Sequence, residues 1–331
     1  MRDGVMGGLL VALSLPLSFP PSAIRMQLDR TRIAIRERGL LDTIDLALHV
    51  TRDFAGPLAI AALLAIVPLA LLNYALVGWM TPADAETPLD MGRYWWNTTV
   101  LIYLEAPLAS IFVVAYLGPA LFLEKRTVRQ IAVDVLRYSP QLLLCQGLLR
   151  GLFVAWGLYL LVDRLEPGPV EFFFIPIVLL WSTAMRAFRP YINEIILLEK
   201  NPLVARQDNA ITMAKRSTHL HGPYSGDLLI RWIGGALVAL LLVALALATA
   251  IALEGVLIGI WPFAGMFTDD FSWNMDWALL QIVYPACLWL VVAFMSVVRF
   301  LSYLDLRIRH EGWEVELLMR AEALRLAARM E

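Results

Sequence analysis

The sequence is poor in charged residues. Only 17% of its 331 residues are Asp, Glu, Lys or Arg, whereas 60% are hydrophobic. A soluble globular domain carries about 25% charged and about 45–50% apolar residues, so this composition excludes an ordinary soluble domain. The uncharged residues form apolar runs of roughly 20 residues, the length at which a helix crosses a hydrocarbon layer about 30 Å thick.

Cysteine and histidine are also scarce. The two cysteines, Cys145 and Cys287, lie singly inside apolar runs, and no Cys-x-x-Cys spacing occurs. This pattern excludes a disulfide framework and favours two small buried thiols. Among the four histidines only His219 and His221 are close in sequence. Two ligands on one short segment do not make a metal site, so we expect no bound metal.

The motifs of common catalytic and nucleotide-binding sites are missing. The chain has no P-loop, no Gly-x-Ser-x-Gly, no His-Glu-x-x-His, and no Gly-x-Gly-x-x-Gly between a strand and a helix. Its basic residues flank the apolar runs, where the anionic inner leaflet accounts for them, and nucleic-acid binding is not indicated. We therefore predict a protein that is not an enzyme and uses no cofactor.

The apolar runs predict an all-α fold, a polytopic transmembrane bundle with about six spans. The predicted spans are 57–80, 98–122, 140–162, 171–189, 232–254 and 277–300. Lys and Arg cluster outside alternate ends of these spans, in the ranges 26–55, 124–138, 190–230 and 302–331. The remaining connections carry only Arg93 and Arg164 as bases, among a majority of Asp and Glu. Since Lys and Arg are retained in the cytoplasm, we predict that both ends of the main body are cytoplasmic.

The N-terminal residues 1–25 fit three alternatives. They read as a polar start, an apolar run and then Pro20 and Pro21. The segment is a cleaved signal, a seventh span, or an extension upstream of a true start at Met26. The Arg-rich stretch after Met26 favours the third alternative.

The rest of the chain divides into a transmembrane domain over 26–302 and a cytoplasmic C-terminal helix over 303–331. The domain begins with an amphipathic interfacial helix at 40–54. Its polar residues fall on one helical stripe, as a helix lying along a membrane surface requires. These are Asp42, Asp45, His49 and Arg52.

Three stretches resemble a known family. They are Leu40-Leu-Asp-Thr-Ile-Asp-Leu-Ala-Leu-His-Val-Thr-Arg52, Arg189-Pro-Tyr-Ile-Asn-Glu-Ile-Ile-Leu-Leu-Glu199 and Tyr303-Leu-Asp-Leu-Arg-Ile-Arg-His-Glu-Gly312. They are similar to bacterial six-span integral membrane proteins of unknown function, related to the membrane domain associated with glycerophosphoryl diester phosphodiesterases. The resemblance implies fold and topology in a bacterial inner (plasma) membrane. It implies no reaction, because the phosphodiesterase is a separate soluble domain whose metal-binding acids and catalytic His are absent here.

Two charged residues fall inside predicted spans, where charge is expensive and marks a functional hypothesis. Glu105 lies in the second span and Arg150 near the middle of the third. At a rise of about 1.5 Å per residue, their depths differ by roughly 7 Å, which an Arg side chain can bridge. We predict an intramembrane ion pair with Gln141, Gln146 and the Pro107 kink beside it. The pair either lines a transport pathway or fixes the register of the two helices.

The segment after the last span carries four charges at helical spacing, namely Asp305, Arg307, Arg309 and Glu311. Asp305 to Arg309 and Arg307 to Glu311 are both i,i+4 pairs, so a helix could satisfy its own charges. We interpret the segment as an interfacial helix or as a docking site for a cytoplasmic partner.

Taken together, the sequence favours a non-enzymatic, membrane-embedded subunit or scaffold. The alternative is a small-solute or lipid transporter that uses Glu105 and Arg150. In both cases the expected partners are membrane lipids and a cytoplasmic or membrane protein. A solvent-connected cavity at Glu105 favours the transporter, and a tight pair without a cavity favours the scaffold.

Overall fold

The described part of the chain is built from helices and contains no β-strand, which confirms the predicted all-α fold class. The computed structural model describes residues 38–80, 88–121, 126–163, 166–203, 211–257, 259 and 279–311. The alternatives for residues 1–25 and most of the predicted C-terminal helix lie outside these residues.

Helices follow one another closely along the described chain. They are α1 Leu40–Asp53, α2 Ala55–Val77, α3 Pro88–Ala109, α4 Ile111–Leu121, α5 Val128–Leu143, α6 Leu152–Leu160, α7 Ile175–Phe188, α8 Ile192–Glu194, α9 Met213–His221, α10 Ser225–Leu257 and α11 Tyr284–Glu311. Several begin or end in wider π-helical turns. These are Leu144–Leu149, Val170–Phe174, Ile195–Glu199 and Leu279–Val283.

Five helical stretches of the described chain are long and apolar enough to cross a membrane. They are Ala55–Met80, Gly92–Leu121, Val170–Phe188, Ser225–Leu257 and Gln281–His310. Each coincides with a predicted span. The predicted third span is different, because Val128–Leu149 and Leu152–Leu160 meet at an angle of 63°. The described chain therefore has six spans only if this bent pair counts as one.

The bend in the third span lies at Arg150 and Gly151. The helix widens into the π-helical segment Leu144–Leu149 and stops where Gly151 adopts a φ of 78°. This left-handed conformation is open to glycine at little cost and strained for most other residues. Hydropathy measures only the apolar length of a segment, so the sequence predicted an unbroken helix here.

Helix α1 is present where the interfacial helix was predicted. Asp42, Asp45, His49 and Arg52 are exposed, while Thr43, Ala47 and Val50 are buried against the rest of the chain. The predicted boundary between the last span and a C-terminal helix is absent, because α11 runs unbroken from Tyr284 to Glu311.

The bundle has two ends with different polar networks. A helix of the length of α11 spans about 42 Å, so the two ends of α11 lie on opposite sides of the bundle. At the start of α11, Tyr284 contacts Thr99 and the Trp95 carbonyl in α3. Nearby, Arg93 pairs with the buried Glu171 at 3.0 Å, and we call this side the acidic end. We call the side at the end of α11, where α1 and α9 lie, the basic end.

Asp305 ties the basic end together. Its carboxylate accepts a hydrogen bond from the Arg38 backbone N–H at 2.7 Å, just before α1. It also binds Arg231 of α10 and Arg309 of α11, each at 2.9 Å. Asp305 is 2% exposed, so these bonds form away from bulk water. One carboxylate thus joins α1, α10 and α11.

Replacing Asp305 by Ala should destabilise the protein by about 2 kcal/mol, because it breaks the hydrogen bonds from the Arg38 N–H, Arg231 and Arg309. The more exposed Asp227 is then the carboxylate that remains beside the two arginines. Thermal unfolding in detergent measures the loss. Asp45→Ala is the matched control, since that side chain is 74% exposed on α1 and should be nearly neutral. Equal melting temperatures for the two variants would contradict the role of Asp305.

Candidate functional site

The structure does not bring Glu105 and Arg150 together. Glu105 accepts a hydrogen bond from Trp156 Nε1 at 2.8 Å, whereas Arg150 donates to the Arg189 carbonyl at 2.7 Å. The predicted ion pair is therefore wrong. The depth estimate assumed a straight third span, but the chain turns at Gly151, and this places Trp156 of α6 rather than Arg150 beside Glu105.

Glu105 lies in an apolar part of the bundle. Its side chain is fully buried, beside the apolar cluster that includes Leu101, Leu104 and Leu152. The amide of the buried Asn73 on α2 is a second polar neighbour of this carboxyl group. Both side-chain neighbours, the Trp156 indole and the Asn73 amide, are neutral.

Arg150 instead belongs to a group of charged residues toward the basic end. We define the arginine cluster as Arg150, Arg186, Arg299 and the single carboxylate Glu194. Arg150 lies at the bend, Arg186 in the last turn of α7, and Arg299 in α11. Glu194, at the end of α8, is fully buried and binds Arg299 Nε at 2.9 Å.

The other two arginines of the cluster are bonded to neutral groups. Arg186 donates to the Leu104 carbonyl at 2.9 Å, and its guanidinium carbon lies 4.1 Å from the centre of the Tyr103 ring. Arg150 donates to the Arg189 carbonyl. Arg186 and Arg299 are close enough to Arg150 to repel its charge. Both Arg150 and Arg186 are at least nine-tenths buried, so water screens this repulsion poorly.

A kink in the second span supplies polar groups to the cluster. Pro107 lies inside α3, where its ring prevents one backbone hydrogen bond, and α3 ends at Ala109. Asn193 donates to the buried Pro107 carbonyl at 2.6 Å and to Ser110 Oγ at 3.2 Å. Gln146 donates to Asn193, and Arg299 donates to Ser110. Gln146 and the Pro107 carbonyl thus meet at Asn193, and not beside a Glu105–Arg150 pair as predicted.

Tyr191 is a buried side chain close to charged groups of both the arginine cluster and the basic end. Its ring packs against Tyr303 at 5.8 Å and against His221 at 5.7 Å between centroids. Arg231, Glu194, Asp305 and Arg299 all lie close enough to act electrostatically on its hydroxyl. Burial raises the pKa of Tyr191, so the phenol stays protonated.

A groove of about 500 Å³ opens at the basic end. Its charged lining is Arg38, Asp227, Arg231 and Arg309, and its remaining lining is Gly39, Leu40 and Ile230. Arg231 lines this groove and also acts electrostatically on the Tyr191 hydroxyl.

Three of the four predicted C-terminal charges make contacts within the chain. Asp305 and Arg309 form the predicted i,i+4 pair at 2.9 Å, and Asp305 is buried. Arg307 lies 3.8 Å from Glu199, which Arg216 of α9 binds through two nitrogens at 2.6 and 3.0 Å. The side chain of Glu311 lies outside the described part of the structure. Asp305, Arg307 and Arg309 therefore hold α11 to its neighbours, and a docking or interfacial role of this segment stays a prediction.

The sequence missed most of the arginine cluster. Arg186 and Arg299 fall at the ends of predicted spans, where a basic residue is normally explained by the membrane surface. Asn193 and Glu194 interrupt an otherwise apolar run from Ile192 to Leu198. This interruption could have indicated the cluster, because an Asn and a Glu side chain within a buried apolar stretch need hydrogen-bonding partners from elsewhere in the protein.

His221 is held neutral next to this cluster. Burial lowers its pKa to about 4, its Nδ1 faces the Ser217 carbonyl, and the charges of Arg189 and Arg150 lower the pKa further. Its Nε2 is buried without a partner. Protonation would therefore place another positive charge beside Arg150.

Exchanging Glu105 for Leu and Arg150 for Met should give additive losses of stability. The two residues share no partner in the structure, and independent sites couple by less than about 0.5 kcal/mol. Unfolding of both single variants and the double variant in detergent measures the coupling. Recovery of most of the lost stability in the double variant would show that the two residues form an ion pair.

The stability of the protein should fall as the pH drops from 6.5 toward 4. Folded His221 has a pKa below its unfolded value, so protons bind preferentially to the unfolded chain in this window, at a cost of up to about 3 kcal/mol. His221→Phe keeps a ring against Tyr191 and removes this titration. Its unfolding free energy should therefore vary less between pH 7 and pH 4 than that of the wild type. Equal pH slopes would show that His221 does not titrate in this range.

No family model, no curated protein and no solved structure matches the chain. The family resemblance thus depends on the three stretches quoted above, and any function has to be argued from the geometry of the chain itself.

Proposed function

We propose that the chain is a multi-pass protein of the bacterial inner membrane that transports a small solute, with its basic end in the cytoplasm. The observation that carries this proposal is the break at Arg150 and Gly151, where a bent span meets buried polar side chains from other helices. Transporters commonly bind their substrates where spanning helices are interrupted. Irregular backbone at membrane depth is tolerated only where protein buries it or where it lines a cavity.

The buried charges support a functional rather than a purely structural role for this break. Arg186 and Arg299 lie within stretches that can cross a membrane, and Arg150 lies at the bend itself. Ionisable residues in such positions are costly, and they mark ion and substrate pathways. A protein that needed only to join helices could replace such groups by apolar ones at little loss of stability.

A second candidate is the membrane-embedded subunit or scaffold, which α10 favours. This helix has 33 residues, yet no residue in its most apolar window of 18 is buried inside the chain. Large side chains such as Leu237, Leu240 and Leu241 are more than three-fifths exposed. The face of α10 therefore contacts lipid or another membrane protein.

Cysteine labelling in intact cells should place the basic end inside. In a variant with Cys145 and Cys287 replaced by Ala, we expect a membrane-impermeant reagent added outside to modify Glu166→Cys and not Arg129→Cys. Both positions are exposed, one at each end of the bundle, and Lys and Arg are retained on the cytoplasmic side. Permeabilised cells provide the control in which both variants react. The reverse pattern in intact cells would mean that the chain is inverted.

The reactivity of the Cys145 thiol measures whether water reaches the helix break at Arg150 and Gly151. It is 2% exposed and lies close enough to Arg150 to interact electrostatically. With Cys287 replaced by Ala, a transporter should open during its cycle and let a small water-soluble thiol reagent modify Cys145 in membrane vesicles. Arg129→Cys, in a background without Cys145, is the control that reacts regardless of opening. If that control reacts and Cys145 is protected from both sides of the membrane, the scaffold is supported and transport is contradicted.

A further inference from the structure

The arginine cluster carries more positive charge than it neutralises. The cluster contains three guanidinium groups and a single carboxylate. Arg299 pairs with Glu194, whereas Arg150 and Arg186 donate to carbonyl oxygens and Arg186 also lies over an aromatic face. A carbonyl oxygen satisfies an N–H group but does not cancel its charge. Within the described structure, the cluster thus has an excess of two positive charges.

The arginine cluster also contains buried polar atoms that form no hydrogen bond. Arg150 Nε and Arg186 Nε are buried without a partner, and so is Oε2 of Glu194. Arg150 is 3% exposed and Arg186 9%, so bulk water does not supply the missing bonds. Buried polar groups are normally bonded, and each exception calls for an explanation such as an absent ligand. The excess charge and the unused donors indicate the same type of ligand.

The shape of a guanidinium group narrows the choice of ligand. Its planar set of donors matches the oxygens of a phosphate or carboxylate in pairs. A phosphate monoester carries a charge of about −1.5 to −2 at neutral pH, which would balance the two uncompensated arginines. A carboxylate would leave one of them unbalanced.

The groove at the basic end is the expected route to the cluster. Its charged lining is Arg38, Arg231 and Arg309 together with the acidic Asp227. Arg231, Glu194 and Arg299 all lie close enough to Tyr191 to act electrostatically on its hydroxyl. We expect an anion that enters the groove to reach the cluster after a movement of Tyr191.

We infer that the arginine cluster binds a phosphate group, carried by a soluble solute or by a lipid headgroup, with Arg150, Arg186 and Arg299 as its ligands. The identification of phosphate as part of the transported substrate rests on the proposed function. The binding of phosphate by the cluster does not, because a scaffold could bind it as well.

Thermal unfolding of the purified protein in detergent tests the binding of phosphate. Inorganic phosphate should raise the melting temperature, and sodium chloride and acetate at equal ionic strength should raise it less. Arg150→Gln and Arg186→Gln should each lose this difference, because each removes a charged ligand and weakens binding roughly tenfold or more. The control is Arg129→Gln, whose side chain is exposed at the start of α5 and which should keep the full effect.

Arg150→Lys covers the case in which Arg150→Gln fails to fold. Lysine keeps the charge and loses the paired donors, so the variant should fold and bind phosphate more weakly. A second experiment compares the melting temperature of the protein in nanodiscs of a neutral lipid with its melting temperature in nanodiscs that contain phosphatidic acid. Stabilisation by phosphatidic acid alone, lost in the same variants, identifies a lipid headgroup as the source of the phosphate.

The outcomes separate this inference from the proposed function. Phosphate-dependent stabilisation with a protected Cys145 means that the cluster binds phosphate in a protein that does not transport. A reactive Cys145 without any effect of phosphate or phosphatidic acid means that transport stands and the phosphate site is refuted. An equal effect of phosphate on the wild type and on the Arg150 and Arg186 variants would also overturn the inference.

Discussion

A charged group that is buried inside the bundle has to find its partners within the protein, and the architecture of this chain follows from that constraint. Bulk water does not reach such a group, and an unpaired buried charge costs several kcal/mol. The chain meets the requirement at the basic end through Asp305, which joins α1, α10 and α11 through one buried carboxylate. Glu199 acts in a similar way between α9 and α11. At the acidic end, Glu171 binds Arg93 and Asn97.

The arginine cluster departs from this pattern. Elsewhere each buried carboxylate named above has a cationic partner except Glu105, which lies beside Trp156. In the cluster, two arginines have only neutral acceptors, and the cluster lies where the third span is broken and the second is kinked. A break in the helix and an excess of charge at one place favour a binding site over a structural joint, since a joint needs neither.

Much of the fold could be predicted from the sequence, because the apolar length of a span and the sign of its flanking charges are local properties. The helix at 40–54 and five of the candidate spans were predicted for this reason. The break at Gly151 could not be predicted, because it depends on a backbone conformation that hydropathy does not register. The wrong pairing of Glu105 with Arg150 has the same cause. Because the chain bends at Gly151, Trp156 and not Arg150 lies beside Glu105. Glu194 and Arg299 are 105 positions apart in sequence, and such a long-range contact leaves no local pattern.

A density map of the protein in lipid nanodiscs is the most direct test of the central claim, which is that a broken third span directs Arg150 into a cluster with Arg186 and Arg299. The account predicts a bend near 63° at Gly151, with the Arg150 side chain directed toward Arg189 and away from Glu105. A straight helix through residue 151 with Arg150 paired to Glu105 would contradict it.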